Sequence, residues 1–381
     1  MKNVLFIRSN PVNPDSRVEK EVQCLVKNNY RVTILAWDRD CDYSLKKEKL
    51  VINKVIIPIY RVGIKCEYGN GIKNLKYNFK FQIIIWQFIK SASNQYDIIH
   101  ACDFDTAFSA FYSCNKKSTK IVYDIFDFYT DAFHIPTKIK PFILKLDQNL
   151  INKADAVIIC TEERKKQIVG TSPKKLAIIH NTPPEIQDDT VKSIKVSNKN
   201  QISIAYFGIL AEERMIAELL DIVSKNHQYE LHIGGFGKLR NQVIKYAKKF
   251  NNIKFYGKIP YNEVLNIEKK CDIITAIYEP NNMNHKYAAP NKFYEALMLG
   301  KPLIMVNGTG MSKIVENEQI GVIINYNKES LAKGLEQLFL NQVSWDTISG
   351  KMKNLYVEKY SWELMERRLL DLYATLFLEE D

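Results

Sequence analysis

The chain has 381 residues, 46% hydrophobic and 25% charged, close to soluble globular averages, and is long enough for two domains of ~150–200 residues. Its net charge of +11 lies wholly in residues 1–200, with 32 Lys/Arg against 21 Asp/Glu; residues 201–381 hold 22 of each. Seven scattered cysteines without a C-x-x-C pair argue against a disulfide framework and against a structural zinc site.

Residues 4–7 (VLFI) open the chain as a strand with no leader pattern before it, so a cytoplasmic location is expected. No apolar run approaches the ~20 residues that span a bilayer. Residues 16–28 read as a helix, with Val18, Val22, Leu25 and Val26 spaced for one buried face. Strands are predicted at residues 31–37, 97–100, 120–124, 156–160 and 176–179. These runs lack clean alternation, as parallel strands buried on both faces do. Interleaved with helices, they imply right-handed crossovers and a doubly wound sheet.

Residues 185–201 are polar and read as a linker between a first domain, 1–184, and a second, 202–360. Strands resume at residues 202–207, 230–233, 253–256, 273–277, 302–306 and 321–324. A long amphipathic helix, capped by Ser361, is expected to close the chain over residues 361–381. Two such domains would leave a cleft at the carboxyl ends of their strands, where open α/β folds bind ligands.

The segment AAPNKFYEALMLGKPL carries the clearest chemistry. Pro290 and Asn291 suit a helix start, Lys292 falls in its first turn, and Glu295 lies one turn on along the same face. Free amides, the helix dipole and Lys292 favour phosphate, and Glu295 can accept hydroxyl hydrogens, so the pattern fits a diphosphate joined to a ribose. A surface Lys–Glu pair on an amphipathic helix fits the spacing equally well. Upstream, Gly208 ends a strand and Arg214 follows, a glycine for close approach and an arginine for phosphate oxygens. Gly234 and Gly235 either make a turn or admit a nucleotide base, and Arg240 breaks the G-x-G-x-x-G spacing of nicotinamide sites.

These segments resemble, in order, the retaining nucleotide-sugar glycosyltransferases of family 4, which have the GT-B fold. The matching pieces are FGILAEER, IGGFG, NIKFYGKIPYNEV, CDIITAIYEP, PNKFYEALMLGKPLI and the SWE of the last helix. The resemblance implies two Rossmann-like domains facing a cleft, with the last helix crossing back to the first. It implies Arg214 and Lys292 on the diphosphate, Glu295 on the ribose, and catalysis without a metal or other cofactor. A second glutamate, common eight residues before the Glu295 position, is Tyr287 here, as in the subgroup with a P-x-K-x-x-E motif.

The first half resembles the family less closely, over residues 16–35, 96–110 and 120–131. Phe126-Asp127 replaces the usual His-Glu pair, which leaves Asp127 as the candidate acid or base and His100 or His134 as candidates for the imidazole. Asn10, Arg17, Asp103 and Asp105 are further acceptor-side candidates; Asp103 with Asp105, and Asp38 with Asp40, have a D-x-D spacing that is common by chance. Residues 73–90 and 135–146 mix lysines (Lys73, Lys76, Lys80, Lys90) with apolar side chains (Phe81, Ile83, Ile84, Trp86, Phe88). Each is either a membrane-surface helix or a core helix with a solvated lysine edge. The implied partners are a UDP- or GDP-linked sugar, a glycan or lipid-linked acceptor and an anionic membrane surface; no nucleic-acid motif occurs. A nucleotide-sugar epimerase of the same fold and a catalytically inactive scaffold are the alternatives.

Overall fold

The computed structural model describes residues 1–66, 74–92, 94–133, 135–186 and 200–378. The chain forms two compact units, Met1–His180 together with Met365–Asp381, and Asn181–Leu364.

The first unit is built on eight strands: β1 Asn3–Arg8, β2 Arg31–Asp38, β3 Tyr43–Ile52, β4 Val55–Gly63, β5 Ile98–Cys102, β6 Lys120–Ile125, β7 Ala156–Ile159 and β8 Leu176–Ile178. Their order is β3-β4-β2-β1-β5-β6-β7-β8, so the sheet grows outward in both directions from β1. All neighbours are parallel except β3 and β4. The apolar runs read from the sequence are the central strands: Val4, Leu5, Phe6 and Ile7 are fully buried, as helices covering both faces require.

The β3–β4 hairpin was not expected. Its outer strand, YSLKKEKLVI, is exposed along most of its length, and three lysines and a glutamate obscure any apolar pattern. Such a strand suits a sheet edge, where charge discourages pairing with a second chain.

The second unit has six strands: β9 Ile202–Ile209, β10 Tyr229–Phe236, β11 Ile253–Phe255, β12 Ile273–Ala276, β13 Leu303–Val306 and β14 Gly321–Ile324. They lie in the order β11-β10-β9-β12-β13-β14, all parallel. In both sheets the strand order reverses beside the first strand of the unit, and the carboxyl ends of that pair form a switch point. For the second unit this is β9 beside β12; for the first, β1 beside β5.

The last helix, Trp362–Thr375, joins the first unit from Met365 onward. Met365, Leu369, Leu372, Tyr373 and Leu376 make one buried stripe at helical spacing. Arg368 Nη1 donates to the carbonyl of Ile178 at 2.9 Å, and Lys175 Nζ donates to that of Thr375. The expected linker falls mainly on residues 187–199, outside the described residues.

Candidate donor site

The helix Asn291–Leu299 starts with Pro290 as N-cap and ends at Gly300, whose φ of 66° is the left-handed conformation a glycine stop supplies. Lys292 reaches from its first turn to the end of β9. Its Nζ lies 5.0 Å from the centre of the Tyr206 ring, and a Cβ added to Gly208 would stand 2.8 Å from it. The missing side chain at position 208 therefore makes room for an ammonium group. Burial alone would lower the Lys292 pKa, but Tyr278, Tyr206, Glu295 and Glu268 reverse the effect and raise it.

Glu295 is buried, and the Tyr261 hydroxyl donates to its Oε1 at 2.9 Å. Beside it lies Glu268, fully buried, with neither carboxylate oxygen hydrogen-bonded among the described residues. Burial, and then the charge of Glu295, push the Glu268 pKa well above the carboxylate range. Lys292, half-buried, thus stands beside the buried carboxyls of Glu295 and Glu268, unlike a solvated surface pair.

Arg214 ends a short turn, Glu212–Arg214, and sits over the Tyr278 ring, with its Cζ 3.7 Å from the ring centre. Its Nη1 is 3.2 Å from Nε2 of His285. Pro290 is buried; Asn291 is exposed and accepts from Asn181 Nδ2 at 3.0 Å. Tyr287 is half-buried at the end of the short helix Met283–Lys286.

Gly234 and Gly235 turn out to serve strand packing. Gly235 pairs with Gly208 across β10 and β9, and a Cβ there would stand 1.7 Å from the Gly208 carbonyl oxygen. A Cβ on Gly234 would press into the Phe207 ring at 2.6 Å. The glycines let the two strands end side by side, beneath Lys292.

In the first unit the acceptor-side candidates separate into two groups. Arg17 and His100 are interior residues, 2% and 0% exposed, which corrects their expected place at an acceptor surface. Arg17 grips Asp124 through Nη2–Oδ1 at 2.7 Å and Nε–Oδ2 at 3.2 Å, donates to the Ile179 carbonyl at 2.8 Å, and pairs with Glu21 at 3.1 Å. His100 joins Asp124 on one side at 3.3 Å and the Tyr373 hydroxyl on the other at 2.7 Å. Burial lowers the His100 pKa, so the ring is neutral, with Nε2–H toward Asp124 and Nδ1 accepting from Tyr373. Glu21, His100 and Asp124 lie close enough to ligate a cation, but the Arg17 guanidinium fills that position among them.

The second group lies at the carboxyl end of β5. Asp103, with φ 67°, accepts from Arg8 Nη1 at 2.5 Å and from the amides of Phe126 and Asp127 at 2.9 and 3.1 Å. Burial pushes its pKa up to about 7 against the pull of Arg8. Asp103 is thus an anchor for the loop carrying Asp127. Asp127 is half exposed and paired with Arg164 at 2.8 Å. Phe126 packs against two guanidinium groups, Arg8 at 4.1 Å and Arg17 at 4.6 Å from its ring centre. Asp105 is buried, and Asn10 shapes the loop after β1 by donating to Asp15 at 2.7 Å. His134 and Lys73 lie outside the described residues.

The helix Leu75–Ser91 carries two apolar faces. Phe81, Ile85 and Ile89 are core, which removes Phe81 from the candidate lipid-facing set. Leu75, Phe79, Ile83 and Trp86, spaced four, four and three apart, are 61%, 67%, 42% and 48% exposed. Among the described residues no helix is long and apolar enough to cross a membrane.

Sequence spacing did not reveal His285, Tyr278, Tyr261 or Glu268. Tyr278 had a signal, since it follows a strand at the switch point; His285 and Glu268 had none.

Comparison with known proteins agrees with this architecture. Residues 17–182 match the model of Glycosyltransferase Family 4, and residues 187–355 match that of Glycosyl transferases group 1. The O-antigen biosynthesis glycosyltransferase WbnH of Escherichia coli is 23% identical over 188 residues, 48% of this chain and 50% of its own length. The chain spans about half the length of the curated relatives it matches there. Sucrose-phosphate synthase of Thermosynechococcus elongatus superposes with a TM-score of 0.71 at 14% identity, covering 99% of each chain. HepE of Anabaena, solved with UDP-glucose, gives 0.68 at 14% identity over 98% of this chain and 100% of its own. Family models matched in both halves, and a fold shared end to end with these structures, make the chain a group 1 glycosyltransferase-family protein of GT-B fold.

Proposed function

We propose that this chain transfers a sugar from a nucleotide diphosphate, UDP- or GDP-linked, to a glycan or lipid-linked acceptor, with retention at the anomeric carbon, in cell-surface polysaccharide synthesis. The observation that carries the donor assignment is the meeting of Lys292 with Gly208 at the switch point of the second sheet, with Arg214 on the loop that follows. The UDP-glucose in HepE and the O-antigen role in the name of WbnH support the same direction.

As the bond from the anomeric carbon to phosphate breaks, negative charge grows on the diphosphate. Lys292, Arg214 and the amides at the start of the helix Asn291–Leu299 stabilise that charge without reorganising. Glu295, already holding the Tyr261 hydroxyl, is placed for the ribose. The acceptor hydroxyl attacks from the face the leaving group occupies, and its proton passes to the departing phosphate. Asp127 is already engaged by Arg164 at 2.8 Å and is not assigned this step. The exposed apolar face of the helix Leu75–Ser91, flanked by Lys76 and Lys80, suits contact with an anionic membrane where a lipid-linked acceptor resides.

The test is release of UDP or GDP from their sugars by the protein and by Lys292→Ala and Glu295→Ala, with melting curves in parallel. Both variants are expected to lose transfer by at least about a hundredfold while still melting cooperatively. Full activity in either refutes the donor-site assignment.

A further inference from the structure

His285 lies outside every motif, yet it is 6% exposed and wired into the loop that carries Arg214. The Glu279 amide donates to the Glu213 carbonyl at 3.1 Å, and the Glu279 carbonyl faces His285 Nδ1 at 3.0 Å. His285 Nε2 faces Arg214 Nη1 at 3.2 Å, which closes a ring of hydrogen bonds from residue 213 back to residue 214. The geometry fixes the tautomer. A carbonyl is only an acceptor, so Nδ1 carries the proton; Nε2 is then a lone pair, and the guanidinium donates to it. The fourth side of the frame is Tyr278, which stacks on Arg214 and meets the His285 ring edge-on at 5.3 Å.

We infer that His285 is a positioning residue for the donor diphosphate: it holds the Arg214 guanidinium in one orientation without neutralising it. This rests on the assignment of Arg214 to the donor site. A carboxylate in the same place would fix the arginine equally well, but it would cancel the charge a phosphate needs. A water would leave the charge intact and the orientation free. A neutral imidazole does neither harm, because it removes one N–H of five and leaves the net charge untouched. An arginine that is already oriented loses less rotamer entropy when it binds a phosphate.

The two nitrogens of His285 can be tested separately. An asparagine amide can replace Nδ1–H toward the Glu279 carbonyl but places no acceptor at the Nε2 position. A glutamine oxygen can reach that position and accept from Arg214. UDP and GDP binding is measured by titration calorimetry on the full chain, its His285→Asn, His285→Gln and Arg214→Ala variants, and the Arg214→Ala/His285→Asn double variant. The expected result is about tenfold weaker binding for His285→Asn, recovery of most of that loss in His285→Gln, and less than about a twofold further effect of His285→Asn once Arg214 is gone. If His285→Asn and His285→Gln are equally impaired, or the effects of His285→Asn and Arg214→Ala simply add, the residue is structural and the inference falls. If Arg214→Ala weakens binding and His285→Asn does not, the inference falls while the donor site stands. If Arg214→Ala leaves binding unchanged, the donor-site reading fails, and this inference with it.

Discussion

Asp147 offers a prediction whose size follows from its surroundings. It is fully buried on the helix Lys140–Lys153, behind β6; Tyr123 donates to its Oδ1 at 2.8 Å, and its Oδ2 has no hydrogen-bond partner among the described residues. Burial pushes its pKa up to about 7, with Asp103 adding to the effect, against about 4 in an unfolded chain. A carboxyl raised in the folded state stabilises fully below its unfolded pKa, and the contribution disappears as pH rises through the folded value. Three pKa units at about 1.4 kcal/mol each give roughly 4 kcal/mol lost by pH 8, of which about 1.5 kcal/mol is already gone at pH 5. Asp147→Asn keeps an acceptor for Tyr123 and abolishes the titration. Its unsatisfied amide N–H groups carry a penalty of about 1–3 kcal/mol, but that penalty does not depend on pH. The clean quantity is therefore the change in effect between pH 5 and pH 8, about 2–3 kcal/mol in favour of the variant at the higher pH. With two units in the chain, a single unfolding curve does not isolate this group. Hydrogen exchange of the Lys120–Ile125 peptide during urea denaturation reports on the unit that contains it. An effect of Asp147→Asn that is the same at both pH values would show that the site does not hold a proton at neutrality.

Two further outcomes are expected. Tyr373→Phe removes the hydroxyl that donates to His100 Nδ1 inside the first unit; it is expected to cost about 1–3 kcal/mol and to speed hydrogen exchange in the helix Trp362–Thr375, without changing UDP or GDP affinity. Phe79→Ser with Trp86→Ser removes the two largest side chains of the exposed apolar stripe and is expected to weaken co-sedimentation with phosphatidylglycerol vesicles by at least about tenfold; absence of vesicle binding by the unmodified chain at low salt would end the membrane proposal.

What could be read from the sequence divides along a physical line. Buried parallel strands announce themselves as unbroken apolar runs, so the central strands of both sheets were legible. The helix Asn291–Leu299 was legible because proline at its start and glycine at its end are local signals, and Lys292 with Glu295 lie one turn apart within it. The β3–β4 hairpin was not, because an edge strand is selected for charge and exposure more than for pattern. The roles of Gly234 and Gly235 depend on Phe207 and Gly208, which lie in the neighbouring strand. Arg17 and His100 looked like cleft residues because their residue types suit catalysis; only the fold reveals that Asp124, 107 residues beyond Arg17, faces both. His285 is the extreme case: its meaning lies in a lone pair aimed at a residue 71 positions away.

The distribution of charge also reads differently once each cation is followed to its partner. The excess of lysine and arginine lies in residues 1–200, which on sequence grounds points the first half toward anions. Yet the inward-facing arginines of that half are already engaged by carboxylates: Arg8 by Asp15 and Asp103, Arg17 by Asp124 and Glu21, Arg164 by Asp127. Ion pairs of this kind satisfy the cation and leave little field for a ligand. Residues 201–381 have no net excess, but the two central cations of the second unit are held by uncharged groups, Arg214 by His285 and Tyr278, and Lys292 against Tyr206 in the space left by Gly208. Among the described residues neither makes a direct ion pair, although Glu295 and Glu268 help keep Lys292 protonated. A positive charge kept in a partly buried site without a contacting counter-ion is destabilising unless something anionic arrives to meet it. The diphosphate of a nucleotide sugar is an anion of the right kind, and this difference in partners, not net charge, favours a donor site in the second unit.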